Sequence, residues 1–272
     1  CAWARELLLQ TIEHAQQSGW EVLHAIVDSV WVRDVQGRTY EQQHKDALDL
    51  AQEVQAFTGI PLEYEATYDC IAFLPSRVHS GGSLTKYWAY GKDGMKIRGL
   101  ELRQHSTCQW IRNLQQQALQ ILSRATDLTD SLPSYSVQRT VQNLLLSELE
   151  RLQNGMITIG DLLIAQRISR EPTEGSVQSL AMLAFQRHQA HGFPLSLGSK
   201  ARFLVRKKDV KNPLFRVLLS EECSNLNDTA KHVDLGYYRQ QAIRAIWAIL
   251  TPFGWEESQL TEVGVVRLDQ WM

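Results

Sequence analysis

The stretch from Val22 to Val32 constrains the fold most, because it reads as two short strands joined by a tight turn. Both runs are rich in β-branched and aromatic residues, and the polar pair Asp28-Ser29 interrupts them. This pattern predicts a β-hairpin with Asp28 at its tip. An aspartate in a turn is usually a turn former, since its carboxylate accepts hydrogen bonds from nearby backbone amides. Spacing alone therefore favours the turn-forming role, with catalysis as the alternative.

Helices and further strands flank this hairpin. Apolar periodicity predicts helices over about 2–17, 39–57, 108–124, 137–153 and 177–191, and one after Asp234. Strand patterns lie over about 62–73, 85–90, 95–97 and 201–206. The order of these elements predicts an α+β fold, with a boundary near residue 105 where the pattern becomes mainly helical.

The net charge of −2 excludes a uniformly basic nucleic-acid binder but hides an asymmetry along the chain. Residues 41–69 carry seven acids and one base, whereas residues 85–112 carry six bases and two acids. Residues 200–216 carry seven bases and one acid. The two basic segments could form two walls of one groove, or they could be two solvated faces.

The compartment is predicted from what the sequence lacks. Four scattered cysteines without a Cys-x-x-Cys spacing favour free, mostly buried thiols over a zinc site or a disulfide framework. No apolar run approaches the roughly 20 residues of a membrane span. We therefore expect a cytoplasmic or nucleoid-associated protein without a membrane partner. The chain opens on Cys1 in a helix-like pattern, so we expect a piece of something longer.

Two hairpins resemble those of family B DNA polymerases. The family's carboxylate hairpin usually reads Tyr-Gly-Asp-Thr-Asp-Ser, and residues 24–29 stand in those six places. Asp28 and Ser29 match, whereas Ile26 replaces the first aspartate. Residues 85–89 (Thr-Lys-Tyr-Trp-Ala) resemble the family's Lys-Lys-Arg-Tyr-Ala, and residues 96–101 match Lys-Ile-Arg-Gly-Leu-Glu completely.

The resemblance continues beyond the hairpins. The family's Arg-Arg followed by Asp becomes Arg103-Gln104-His105-Ser106, which keeps one arginine and loses the acid. Residues 159–164, 168–172 and 234–238 resemble motifs of the family's thumb, in the same order. The resemblance thus covers nearly the whole chain, and the order of the motifs is more specific than any one of them.

The resemblance implies an architecture and a set of site residues. Residues 1–105 would be the C-terminal part of a polymerase palm, built of β-hairpins with flanking helices, and residues 106–272 a mainly helical thumb. Asp28 would be the catalytic carboxylate that binds Mg²⁺, and Ile26 marks a degraded position of that site. Contacts with primer-template DNA are expected from the residues Lys86, Trp88, Lys96, Arg98, Arg103, Lys200, Arg206, Lys207 and Lys208. Alternatively, Trp88 is a core aromatic and the lysines lie along apolar surface.

These residues leave two main functions open. The first is part of a DNA-directed DNA polymerase that grips primer-template DNA and, in the full-length parent, uses deoxynucleoside triphosphates. The second is a catalytically inactive, polymerase-like DNA-binding or replisome accessory protein, which the substitutions at Ile26, Thr85, Gln104 and Ser106 would suit. An unrelated α+β protein with a fortuitous hairpin is the third reading.

Overall fold

A computed structural model describes most of the chain. The described residues are 2–76, 81–92, 94–124, 133–169, 179–192, 194–207, 212–223 and 232–262. Their contacts divide the chain into two compact units, Cys1–Lys96 and Ile97–Met272. Each unit is described by itself.

The first unit combines two helices with two small sheets. Its elements are α1 (Ala2–Gln17), β1 (Trp20–Ile26), β2 (Ser29–Asp34), α2 (Tyr40–Thr58), β3 (Cys70–Pro75), β4 (Gly82–Gly91) and β5 (Gly94–Arg98), whose last two residues begin the second unit. Strands β1 and β2 form an antiparallel ribbon, and the second sheet has the order β3-β4-β5.

Helix α2 packs with α1 and the base of the ribbon. Its first turn has a capping box, in which the Thr39 side chain accepts from the backbone of Gln42 and the Gln42 side chain accepts from the backbone of Thr39. The helix ends at Gly59, whose φ of 70° suits a residue without Cβ. The core here consists of Ala15, Trp20, Leu50 and Val54, with Val22, Val32, Ala47 and Leu62 packed around it.

Aromatic rings join the β1–β2 ribbon to the second sheet. His24 and Trp31 are cross-strand partners in the ribbon. The His24 ring lies 5.1 Å from the ring of Phe73, and the Trp31 ring lies 5.4 Å from that of Tyr87. Trp31 also packs against Tyr68 at 5.2 Å. Because edge-to-face pairs fix both distance and angle, these contacts hold the ribbon in a defined position on β3 and β4.

The second unit is mainly helical. Its elements are α3 (Gln109–Arg124), α4 (Tyr135–Gln153), α5 (Ile159–Leu162), β6 (Ile164–Arg167), α6 (Leu180–Ala190), β7 (Lys200–Val205), β8 (Val217–Leu219) and α7 (Leu235–Leu250). Helices α3, α4 and α7 pack on one another, and the antiparallel sheet β6-β7-β8 carries α6.

Buried glutamines connect the helices of this unit. Gln115 of α3 accepts a hydrogen bond from the backbone of Leu102 at 2.7 Å and donates to the carbonyl of Ala245 in α7 at 2.7 Å. Gln138 of α4 accepts from the indole N–H of Trp255 at 2.7 Å. Since a buried amide needs partners for both ends, each of these contacts fixes one element against another.

The prediction of mixed helices and strands is confirmed, and α1 has the predicted bounds. The structure corrects three details. Strand β3 begins at Cys70 rather than near residue 62, and β6 and β8 were not predicted. On α2, the helical spacing of Leu48 and Phe57 with Ala51 and Val54 predicts that all four lie on the inner face, but Leu48 and Phe57 are exposed. None of the helices in the described ranges is long and apolar enough to cross a membrane.

Candidate functional site

The tip of the β1–β2 hairpin presents Asp28 to solvent. A two-residue connection, Val27-Asp28, joins the paired residues Ile26 and Ser29. The backbone N–H of Asp28 donates to the carbonyl of Ile26 at 2.6 Å, and Val27 has a φ of 51°. An i to i+2 hydrogen bond around a residue of positive φ is typical of a classic γ-turn, which is rare and strained. The side chain of Asp28 is exposed, and no described residue pairs with its carboxylate.

A divalent ion would find one ligand at this tip. Carboxylate oxygen is the kind of ligand that Mg²⁺ prefers, and the Asp28 carboxylate has no ion pair with a described lysine or arginine. Across the described parts of the chain, however, no three His, Cys, Asp or Glu side chains come together in a way that could hold a metal ion. Ile26, at the degraded position, ends β1 with a half-buried alkyl side chain. Among the described residues, the hairpin tip therefore offers one carboxylate ligand rather than a complete metal site.

Most cations expected on the β4–β5 hairpin and just after it are accessible. Lys86, Arg98 and Arg103 are exposed, and none of them has an ion pair with a described residue. Lys96 differs, because its ammonium group contacts both carboxylate oxygens of Glu65. It also lies 5.5 Å from the centre of the Trp31 ring.

Trp88 does not lie at the surface. Its side chain is fully buried, and its ring stacks on that of Tyr90 with a centroid distance of 5.8 Å. A buried indole has no face left for a sugar or a base, so the position of Trp88 fits the core-aromatic alternative.

A second group of cations lies on the β6–β7 ladder. Lys200 is exposed on β7, and the antiparallel register places it directly opposite the exposed Arg167 of β6. Arg202, two residues along β7, is exposed on the same face. Sequence reasoning did not single out Arg167, because β6 is too short to show an alternating pattern. The paired strands thus bring three cations together.

The remaining expected cations follow β7. Arg206 is half-buried and Lys207 is exposed. Lys208 lies outside the described residues, as do residues 170–172 of the thumb-like motif and the predicted start of α6 before residue 179.

The two substituted positions of the family's Arg-Arg and Asp motif, Gln104 and Ser106, line a cavity of about 240 Å³ in the second unit. Tyr237 and Cys108 are among the other lining residues. Burial raises the pKa of the Cys108 thiol to about 11, so this sulfur is an unreactive thiol at neutral pH. Where the family's motif has charged residues, this chain has small or neutral ones beside an open space.

The fold and the site define a protein of mixed helices and strands, with an acidic hairpin tip and cationic strands. The family model of DNA polymerase family B matches residues 4–253. This match covers most of the chain, which therefore belongs to DNA polymerase family B.

Individual relatives agree with this assignment. The chain is 21% identical over 282 aligned residues to a DNA polymerase of Archaeoglobus fulgidus, covering 99% of this chain and 33% of that protein. Its fold is similar to the family B DNA polymerase of the hyperthermophilic archaeon Pyrobaculum calidifontis, with a TM-score of 0.59 and 19% identity, covering 94% of this chain and 30% of that one. The chain thus spans about a third of the length of these relatives. Both are described as DNA polymerases, so the comparisons do not favour the accessory-protein alternative.

Proposed function

We propose that this chain is the palm and thumb part of a DNA polymerase that extends a primer on a DNA template with deoxynucleoside triphosphates. Residues 1–105 would be the C-terminal part of the palm and residues 106–272 the thumb. The proposal rests on the family match together with one geometric observation, the solvent-exposed carboxylate of Asp28 at a hairpin tip, which pairs with no described residue.

Asp28 would act as one ligand of Mg²⁺. Bound Mg²⁺ ions make the primer hydroxyl a better nucleophile and neutralise charge on the triphosphate. The part played by this chain is to hold one carboxylate on a short, paired ribbon that aromatic contacts fix to the neighbouring sheet. The other ligands would come from outside the described residues, from nucleotide or from water.

The cations would hold the DNA through its backbone. Lys86 on β4, Arg98 at the end of β5 and Arg103 five residues further along the chain are accessible, and Lys200, Arg206 and Lys207 lie on or beside β7. Arg167 and Arg202 join Lys200 through the β6–β7 register. Lysine and arginine on rigid strands suit contacts with phosphates, which are independent of sequence and weaken steeply with salt.

Primer extension by the full-length protein that carries this chain tests the proposal. Asp28→Asn should lower Mg²⁺-dependent extension by about 100-fold or more, because metal coordination supplies several kcal/mol of transition-state stabilisation. DNA affinity should change little. Asp49→Asn is the matched control, since Asp49 is an exposed aspartate on α2 without an ion pair to a described residue.

Two results would count against this function. Undiminished extension by Asp28→Asn would remove Asp28 from the metal site. Absence of extension by the natural sequence, with extension restored by Ile26→Asp, would show that the site has lost its activity and would favour the accessory protein instead.

A further inference from the structure

Lys96, one of the cations expected to contact DNA, is already paired with an anion of the same unit. The ammonium group of Lys96 pairs with the carboxylate of Glu65, whereas Lys86, Arg98 and Arg103 have no such partner among the residues that the structure describes. The Lys96 side chain is 28% exposed and that of Glu65 is 63% exposed, so water and ligands can reach the pair. The pair therefore lies where a DNA phosphate would have to compete for Lys96.

Both partners are held in place by their surroundings. Lys96 lies over Trp31, whose ring is fixed by Tyr68 and Tyr87. Glu65 belongs to residues 59–69, a described stretch with neither helix nor strand. This stretch is anchored next to Glu65, because the hydroxyl groups of Tyr64 and Thr67 hydrogen-bond at 2.5 Å and the Tyr64 ring packs on His44. The backbone on both sides of Glu65 is thus anchored by contacts of its neighbours.

We propose that Glu65 acts as an internal competitor of DNA phosphate for Lys96 and so limits the affinity of this surface for DNA. The inference rests on the proposed function. An accessible ion pair of this kind shifts an equilibrium by less than about tenfold, so a phosphate can displace the carboxylate. DNA binding would then break the pair and leave Glu65 to solvent or to a cation.

Competition of this kind has a measurable salt dependence. A lysine that neutralises one phosphate normally adds about 0.9 to the negative slope of log K against log salt, because the DNA releases a counterion. If the same lysine must first leave a carboxylate, the freed carboxylate takes up a cation and cancels part of that release. Removing the charge of Glu65 should therefore strengthen binding and steepen its dependence on salt.

The experiment is a fluorescence-anisotropy titration of a labelled primer-template duplex with the full chain at several salt concentrations. Glu65→Gln is compared with Glu63→Gln, which removes the same charge two residues away from an exposed side chain without an ion pair to a described residue. Both substitutions are repeated in a Lys96→Gln background. Thermal unfolding of every variant shows that the fold is kept.

We expect Glu65→Gln to bind about three- to tenfold more tightly than the natural sequence, with a slope steeper by up to about 0.9. Glu63→Gln should change affinity by less than about twofold, and in the Lys96→Gln background the two substitutions should have equal effects. Equal effects of both substitutions with Lys96 intact, or weaker binding by Glu65→Gln, would overturn the inference while leaving DNA binding in place. Absence of salt-dependent binding by every variant would instead overturn the proposed function, and the inference with it.

Discussion

Val27, at the tip of the β1–β2 hairpin, has a backbone conformation that its side chain disfavours. Its φ is 51°, and a β-branched residue at positive φ is a conformational outlier. Backbone strain of this kind costs on the order of 1–3 kcal/mol. The side chain is 79% exposed, so its packing offsets little of this cost. The paired strands on either side must hold the turn that presents Asp28.

Glycine at this position should relieve the strain. Val27→Gly is expected to raise the free energy of unfolding by about 1 kcal/mol, because the lost strain exceeds the extra chain entropy of glycine. Urea denaturation measures the change. Val35→Gly is the control, since Val35 is also exposed but has no positive φ, and it should lower the free energy of unfolding by about 0.5–1 kcal/mol. Equal losses for both variants would show that Val27 is not strained.

At the scale of single residues, the sequence predicted the local turn that presents Asp28 better than it predicted the burial and the contacts of other side chains. The hairpin with Asp28 at its tip is confirmed, because runs rich in β-branched and aromatic residues are local features, but the connecting pair is Val27-Asp28 rather than Asp28-Ser29. The burial of Trp88 and the partner of Lys96 were not predictable in the same way. Glu65 is 31 residues from Lys96 in the chain, and no local pattern indicates which acid a lysine will meet.

Among the elements, the β6–β7 ladder has the most unusual charge arrangement. Arg167 and Lys200 are cross-strand partners with the same charge, and Arg202 is a neighbour on the same face. Like charges directly opposite one another destabilise a sheet. Stability of the fold therefore does not explain their accumulation on an exposed face, whereas the proposed contact with DNA phosphates would.

A single substitution should separate the effect of these charges on stability from their effect on DNA binding. Arg167→Gln is expected to raise the free energy of unfolding by about 0.2–0.5 kcal/mol. It should also weaken binding of duplex DNA and lower the salt slope by about 0.9, since one phosphate contact is lost. Arg244→Gln removes an exposed arginine from α7 that opposes no cation in a strand pair, and it should change neither quantity appreciably. If Arg167→Gln left DNA binding unchanged, the ladder would not belong to the DNA-binding surface.

Elements with long periodic patterns were predictable, and short or irregular ones were not. Helices α1 and α2 have clear periodicity and recognisable ends at Gly19 and Gly59. Strands β6 and β8 have four and three residues, which is too few for a pattern. Residues 62–69 alternate partly but belong to no strand of the two sheets in the first unit; the N–H of Asp69 bonds to the carbonyl of Tyr90 at 2.9 Å, where β3 is about to begin. Pairing with a neighbouring strand, rather than composition, decides whether such a segment forms a strand.

At the scale of the whole molecule, buried polar groups hold elements together that are distant in sequence. Gln115 and Gln138 do this through hydrogen bonds, and Arg187 of α6 does it through charge. Its guanidinium group makes two hydrogen bonds of 2.7 Å to Glu222 and one of 3.0 Å to the carbonyl of Leu214. Apolar periodicity predicted the helices but not these contacts, because glutamine, arginine and glutamate are normally exposed.

The Arg187–Glu222 pair should make the stability of the chain depend on pH. Burial of the Glu222 carboxyl favours its protonated form, but hydrogen bonds from Arg187 and from the backbone of Leu219 outweigh this effect and lower its pKa below the ordinary 4.5. His191, 3.2 Å away, adds to the same shift. A lowered pKa in the folded state means that the stabilisation is complete above about pH 4.5 and is lost as the pH falls through the lower folded value.

Glu222→Gln should therefore lower the free energy of unfolding by about 2 kcal/mol at pH 7, because it leaves the buried Arg187 without its counter-charge. It should also flatten the decline of stability below about pH 4.5, since the variant has no carboxylate to protonate there. Urea denaturation at pH 7, 5, 4 and 3 measures both effects. Glu221→Gln, at the exposed neighbouring residue, should keep the acid-dependent decline of the natural sequence. An equally steep decline in Glu222→Gln would show that other carboxylates cause the loss of stability in acid. The Arg187–Glu222 pair would then stabilise α6 without contributing to the pH dependence.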